Sequence, residues 1–238
     1  MQLTLPWTGP RPRTIATRAI EIAGQTFPIE ICRRRGARRY IVRVTADAIV
    51  RLTVPHGAPI ARGVAFATRQ SAWIAREWKR QQTRTAAWNV GDRCWFRGEQ
   101  VAVGIAGDRA LVGGIDVGSL DPDAGLRASV ERGLRELARV ELPARCLALA
   151  GTVRLTVARV SVRNQRARWG ACSTRQSITL NWRLVQTPER VRDYIIWHEL
   201  AHLLVPNHSR RFWREVARLC PSWRDDEAWL KEYEAEIL

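Results

Sequence analysis

The hydrophobic and polar positions of this chain follow two different periods, and together they predict an α+β fold. Alternating apolar runs that are typical of β-strands occupy residues 17–31, 40–44, 49–54 and 88–117. A helical period covers the segment from Pro59 to Gln82 between them. The first half therefore reads as a β-rich N-terminal region that contains one long helix.

The second half alternates long helical stretches with short strands. A long amphipathic helix is predicted from Asp121 to about Ala150, with Pro143 inside it. Strand-like alternation covers 153–162 and 177–184, and three further helices are predicted from Thr187, Ser209 and Ser222. We expect a flexible tail at 1–13, the β-rich region at 14–120 and a catalytic region at 121–238, with the last two either separate or one compact unit.

The predicted helix from Thr187 to Leu204 carries a metal-ligand pattern. His198, Glu199 and His202 form an H-E-x-x-H motif, and His208 follows six positions later. Residues four apart lie on one face of a helix, so two imidazoles can bind one Zn²⁺ there. Pro206 ends the helix, which allows His208 to approach the same ion as a third ligand.

Three protein ligands leave a fourth position on zinc for a water molecule, whose pKa the metal lowers towards about 7. Glu199 lies next to His198, so we expect it to accept the proton of that water and pass it to a leaving group. A structural zinc is the alternative, and Cys172 would have to supply its fourth ligand. The other interpretation of the motif is that these histidines lie in the core or on the surface and bind no metal.

The net charge of +16 leaves two interpretations open. The basic residues are nearly all arginines, and the densest group lies at 33–39. They could attract nucleic acid or another polyanion. Alternatively, they could be ordinary solvated side chains, encoded as arginine by a GC-rich genome. No apolar run is long enough to cross a membrane, residues 1–13 lack the core of a secretory signal, and the five cysteines form no paired pattern. We therefore expect no membrane partner and a cytoplasmic location.

Several short motifs around the histidines resemble the YgjP-like family of metal-dependent hydrolases, which is grouped with SprT-like zincins. The resemblance spans roughly residues 30–235, and Ala171 stands where the family usually has serine. The motifs that carry it are 168–173, 180–184, Asp193-Tyr194, 198–202, 207–209 and Phe212-Trp213. It implies a zincin-like catalytic domain with an active-site helix, a backing helix and a twisted sheet whose edge strand flanks the cleft. It also assigns the metal to His198, His202 and His208, and catalysis to Glu199.

Three further residues are candidates for contacts with the substrate or its developing oxyanion. Arg168 would offer a positive guanidinium, although it could instead pair with a carboxylate. Asn181 lies on the predicted edge strand, where an extended peptide could pair with the sheet, or it anchors the neighbouring loop. Tyr194 lies one turn before His198 and could also pack in the core. Orienting carboxylates for the imidazoles could come from Asp193 or Glu215.

Together these patterns predict a zinc-dependent hydrolase with one Zn²⁺ per chain, most simply a metallopeptidase that acts on peptides or proteins. One rival keeps the metal site and hydrolyses nucleotides or other phosphoanhydrides. A second is a DNA-associated protease or binding protein of SprT-like type. A third is a protein that the metal stabilises without catalysis.

Overall fold

A computed structural model describes residues 14–22, 25–34, 36–45, 49–165 and 168–237. The predicted tail at 1–13 lies outside these residues. The chain divides into two compact units, Met1–Ala86 and Ala87–Leu238. Helices and sheets occur in both, so the predicted α+β class is confirmed.

The first unit combines a four-stranded sheet with two helices. Its strands are β1 (Thr14–Ile22), β2 (Gln25–Arg34), β3 (Ile41–Val44) and β4 (Val50–Pro55), and its helices are α1 (Ile60–Arg69) and α2 (Ser71–Thr85). The strand order is β1-β2-β4-β3, with β2 and β4 parallel. Every second residue of β2 and β4 is buried together with Ala67 of α1 and Ile74 of α2. Alternation therefore places one face of the sheet in a core that the helices share.

The single helix expected at 59–82 is wrong, because α1 and α2 are separate helices. Gln70 leaves the helical conformation, with φ −96° and ψ 16°, and its N–H turns to the carbonyl of Ala67. A straight helix from Ile60 to Thr85 would be about 39 Å long. The six-residue strand β4 spans roughly 20 Å. The break lets both helices pack on the sheet.

The second unit contains the remaining strands and helices. The strands are β5 (Arg93–Phe96), β6 (Glu99–Ala106), β7 (Arg109–Val112), β8 (Ile115–Ser119), β9 (Arg159–Arg163), β10 (Gly170–Cys172) and β11 (Ser177–Asn181). The helices are α3 (Gly125–Thr152), α4 (Glu189–Leu204), α5 (Arg210–Leu219) and α6 (Trp223–Ile237), with a 3-10 helix at Trp182–Gln186. Pro143 lies inside the uninterrupted α3.

The antiparallel sheet β5-β6-β7-β8 belongs with the long helix α3. Val103, Ala110 and Val112 of this sheet share one core with Val130 and Leu134 of α3. This sheet and α3 therefore both belong to the unit Ala87–Leu238.

The turn between β5 and β6 is docked at the start of α4. The N–H groups of Arg97 and Gly98 donate to the carbonyls of Val185 and Gln186, each at 3.0 Å. Any side chain at Gly98 would run into the ring of Pro188, which precedes α4. This hairpin therefore fixes the position from which α4 begins.

The second sheet of this unit has the order β10-β11-β9, which corrects two expectations. The strand that carries Asn181 is β11, which lies in the centre of the sheet and not at its edge. The edge strand beside it is β10, which falls in the segment 164–175 expected to be irregular. Ordinary alternation could not identify β10, because it has three residues and begins with glycine.

No helix in the described part of the chain is long and apolar enough to cross a membrane. Nor do the five cysteines form a disulfide within it.

Candidate metal centre

Helix α4 holds two of the candidate ligands and the candidate base within a little more than one turn. Its core-facing residues include Ile195, Ile196 and Leu200, which are buried. His198 and His202 are four residues apart and therefore lie on the same face. Their ring centroids are 5.1 Å apart. Packing of the apolar face thus fixes the direction in which both imidazoles point.

The third histidine follows the end of that helix. Val205 is the C-cap, with extended φ and ψ of −139° and 105°, so the chain turns away from the helix axis. The side chain of Asn207 accepts a hydrogen bond from the N–H of Ser209 at 3.2 Å, which closes the turn before α5. Phe212, which is fully buried, lies under the rings of His202 and His208, with centroids 4.4 and 4.8 Å away. The turn and this aromatic ring return His208 to the other two histidines.

The three imidazoles form a group whose geometry fits a metal ion. One nitrogen from each of His198, His202 and His208 lies within 4.8 Å of the other two. The Nε2 atoms of His198 and His208 are 3.1 Å apart. Ligands of a tetrahedral zinc at 2.0–2.1 Å are about 3.4 Å apart, so small side-chain rotations bring all three to that spacing. Cys172 and Glu199 are not part of this group.

The surroundings of His198 and His202 favour their neutral imidazole form, which is the form that binds a metal. Burial, together with the neighbouring His202 and His208, lowers the pKa of His198 to about 3. Burial also lowers the pKa of His202. Both side chains therefore keep a lone pair available at neutral pH.

The partners of the remaining ring nitrogens differ between the histidines. Nδ1 of His202 donates to the backbone carbonyl of Val205 at 3.3 Å, which directs its Nε2 towards the group. Nδ1 of His198 is buried and has no hydrogen-bond partner in the described part of the chain. The expected orienting carboxylates are engaged elsewhere, because Asp193 binds Arg145 and Glu215 binds Arg218.

Glu199 lies beside the histidine group in a buried site. It is 5% exposed, and burial raises its pKa to about 8, while the positive charge of Arg168 acts in the opposite direction. Strand β10 packs directly against it. A Cβ atom on Gly170 would lie 2.5 Å from Oε1 and 2.7 Å from Cγ of Glu199. Only glycine at position 170 leaves room for this carboxylate.

The three further candidates occupy different positions. Arg168 lies near Glu199, and no ion pair to it is found among the described residues. Asn181 is fully buried, and its amide donates to the carbonyls of Gln165 and Arg168 at 2.8 and 3.0 Å. It therefore anchors the loop before β10. Tyr194 is 3% exposed, with its ring against His198, and burial raises its pKa.

Sequence reasoning gave no role to Gly170, Val205 or Phe212. Gly170 lies inside the motif at 168–173, so the sequence indicated its position. Its contact with Glu199 could not be predicted from the sequence. The carbonyl of Val205 could not be identified, because any residue offers a backbone carbonyl. Phe212 was predicted only as an apolar residue of the next helix.

The comparison with family models agrees with the resemblance seen in the motifs. A family model described as YgjP-like, metallopeptidase domain, matches residues 38–233. No curated protein matches the chain. Among solved structures, it is similar to the metallopeptidase zymogen abylysin of Pyrococcus abyssi, with 24% identity over 40% of this chain and 94% of that chain, and a TM-score of 0.35. Because the family match covers well over half of its length, this chain belongs to the YgjP-like metallopeptidase family.

Proposed function

We propose that this protein is a zinc-dependent hydrolase that cleaves peptide bonds, with Glu199 as the general base. The observation that carries the proposal is the group formed by His198, His202 and His208, three imidazole nitrogens within 4.8 Å of one another. The buried carboxylate of Glu199 adjoins it on the same helix. In this proposal α4 is the active-site helix of a zincin-like domain and α5 supplies its supporting aromatic ring.

The metal in this proposal is one zinc ion per chain, held by the three histidines. A metallopeptidase family implies a divalent metal, and three imidazole ligands suit zinc. Bound there, zinc would supply Lewis acidity that lowers the pKa of water. The low pKa of His198 supports this assignment, because a neutral imidazole needs no proton removed before it binds.

Glu199 would move the proton of the reaction. Its carboxylate oxygen accepts a proton from the attacking water, and the same oxygen then donates this proton to the nitrogen of the leaving amine. A base works best when its pKa lies near the operating pH, and burial moves Glu199 in that direction. Gly170 would act as a positioning residue, because its missing side chain leaves the space that Glu199 occupies.

The substrate would lie along β10. This strand pairs with β11 on one side, and its other side is the edge of the sheet. An extended peptide can pair with such an edge through backbone hydrogen bonds. Arg168 precedes β10 and has no carboxylate partner among the described residues, so its guanidinium is the candidate to stabilise negative charge that develops on the substrate. The family match favours a peptide over a phosphoanhydride as substrate.

The test combines metal content with turnover. Zinc would be measured by elemental analysis in the wild type, in His208→Ala and in Glu199→Gln, all purified without added metal. We expect about one zinc in the wild type and in Glu199→Gln. Even partners that orient a ligand contribute about 10–100-fold to metal affinity, so loss of a ligand in His208→Ala should weaken zinc binding by at least about 100-fold.

Turnover would be followed with a fluorescein-labelled unfolded protein and, separately, as phosphate release from ATP. Glu199→Gln should lose at least about 100-fold in peptide cleavage, since a general base contributes about 10²–10⁴. Glu136→Gln, an exposed carboxylate on α3, is the control and should keep full activity. Retained cleavage in Glu199→Gln, or phosphate release without peptide cleavage, would overturn the proposal.

A further inference from the structure

The positive charge of this chain is concentrated in its first unit. Residues 1–86 contain sixteen arginines and lysines against four acidic residues, a net charge of +12. Residues 87–238 contain twenty-three against nineteen, a net charge of +4. A preference for arginine codons would act on both units alike, so it does not explain why only the first lacks acidic residues.

Six arginines of the first unit define a basic surface on α1, α2 and the loop before β3. Its members are Arg38, Arg39, Arg62, Arg69, Arg76 and Arg80, all of them exposed. Arg62 and Arg69 are seven residues apart on α1, as are Trp73 and Arg80 on α2, so each pair lies on one helical face about 10 Å apart.

Tyr40 joins the loop to the helices. Its hydroxyl donates to the carbonyl of Pro59 at 3.0 Å, and its ring stacks on Phe66 at 6.4 Å between centroids. Gly63 of α1 is tightly packed against the same ring. Arg39 directly precedes Tyr40, so the loop arginines lie beside the first turns of α1. The loop that carries Arg38 and Arg39 is therefore anchored to α1.

Few carboxylates neutralise this surface. Of the three described acidic residues of the first unit, Glu21 is exposed on β1, whereas Glu30 and Glu77 pair with Arg51 and Arg80, respectively. For Arg62, Arg69 and Arg76, no ion pair is found in the part of the chain that the structure describes. Like charges without such partners repel one another, which costs stability unless a polyanion neutralises them.

The chemistry of the surface favours the phosphates of nucleic acid. A guanidinium offers a planar set of donors that matches a phosphate bidentately, and lysine is nearly absent from this unit. A membrane-surface helix needs a broad exposed apolar face. The apolar residues of α1 and α2 are instead used in the core, and Trp73, at 39%, is the one large apolar side chain exposed on these described helices.

We propose that the basic surface of the first unit binds nucleic acid through its phosphate backbone. The contacts are electrostatic and independent of sequence, so affinity follows the number of phosphates neutralised. This proposal does not depend on hydrolytic activity in the second unit.

The test measures binding of the full-length protein to a fluorescently labelled 24-base-pair DNA duplex by anisotropy, between 50 and 200 mM NaCl. The surface variant replaces four arginines by glutamine, which keeps helix propensity: Arg62→Gln, Arg69→Gln, Arg76→Gln and Arg80→Gln. The control variant removes the same charge from ion-paired arginines of the second unit: Arg109→Gln, Arg132→Gln, Arg139→Gln and Arg218→Gln. Circular dichroism checks that both are folded.

We expect the wild type to bind with an affinity that falls steeply with salt. The surface variant should lose at least about 100-fold at 100 mM NaCl, and its salt slope should fall by about 3–4. The control variant should stay within about twofold of the wild type. Equal losses in both variants, no binding by the wild type, or binding only to anionic phosphatidylserine vesicles would each overturn the proposal.

Discussion

In the second unit the arginines of α3 and α4 lie mostly against carboxylates, whereas the described arginine side chains of α1 and α2 in the first unit face almost none. Arg132, Arg139, Arg145 and Arg190 each pair with an aspartate or glutamate. On α1 and α2, the ion pair found among the described residues joins Arg80 to Glu77.

This difference separates two uses of the same residue. An arginine that faces a buried or half-buried carboxylate holds helices together, and its charge is already neutralised. An arginine without such a partner leaves a field that an anion outside the protein can satisfy. Net charge alone, at +16, does not distinguish these uses, but its distribution between the units does.

The largest effect expected within one unit comes from Gly170→Ala. The added Cβ would lie 2.5 Å from Oε1 of Glu199, so the carboxylate must move. We expect peptide cleavage to fall by about 100-fold or more, as misplacement of a reacting group by about 1 Å does. Zinc content and the DNA affinity of the first unit should not change. Unchanged cleavage would remove Gly170 as a positioning residue.

The next effect tests the paired arginines. Arg190 forms an ion pair with Asp226, whose side chain is fully buried and also accepts a hydrogen bond from Ser222 at 2.8 Å. Arg190→Gln leaves this buried charge partly uncompensated, and we expect the free energy of unfolding to fall by about 2–3 kcal/mol. Urea denaturation would measure it. Arg139→Gln, which breaks an exposed pair, should cost less than about 0.5 kcal/mol, and equal losses would refute the distinction.

The smallest effect concerns the unpaired arginines. Raising NaCl from 50 to 500 mM shortens the screening length, so repulsion within the first unit should weaken. We expect β2 and β4 to gain about 1 kcal/mol of protection in hydrogen exchange. Amides of α3 should change by less than half of that, because its arginines are paired with carboxylates. Equal gains in both units would contradict the comparison.

Local rules account for what the sequence predicted about the candidate site. The spacing of His198 and His202 is a property of any helix, and a proline-containing turn before His208 is visible in the chain. The contact of Gly170 with Glu199 could not be derived in this way, because it joins a strand and a helix that are distant in sequence. Strand order also depends on contacts between distant segments, which is why the central strand that carries Asn181 was predicted to be an edge strand.

The strands of the fold followed the alternation of apolar residues closely. The prediction failed where the same alternation continued through a change of secondary structure. Ile178, Leu180, Trp182 and Leu184 keep a period of two, yet the last two belong to a 3-10 helix. Both are buried in the core that includes α3, so burial and not strand geometry explains their apolar character. The break at Gln70 was equally invisible, because neither glycine nor proline marks it.

The hairpin of β5 and β6 bears on how the chain can be divided. The side chain of Gln186, just before the metal helix, donates to the carbonyl of Trp95, ninety-one positions earlier. All the histidines and the glutamate of the motif lie after residue 121, so a fragment that began there would contain every residue of the expected chemistry. It would lack the support on which α4 begins. The smallest fragment of this protein that can assemble the histidine group is therefore expected to start near Ala87, not at residue 121.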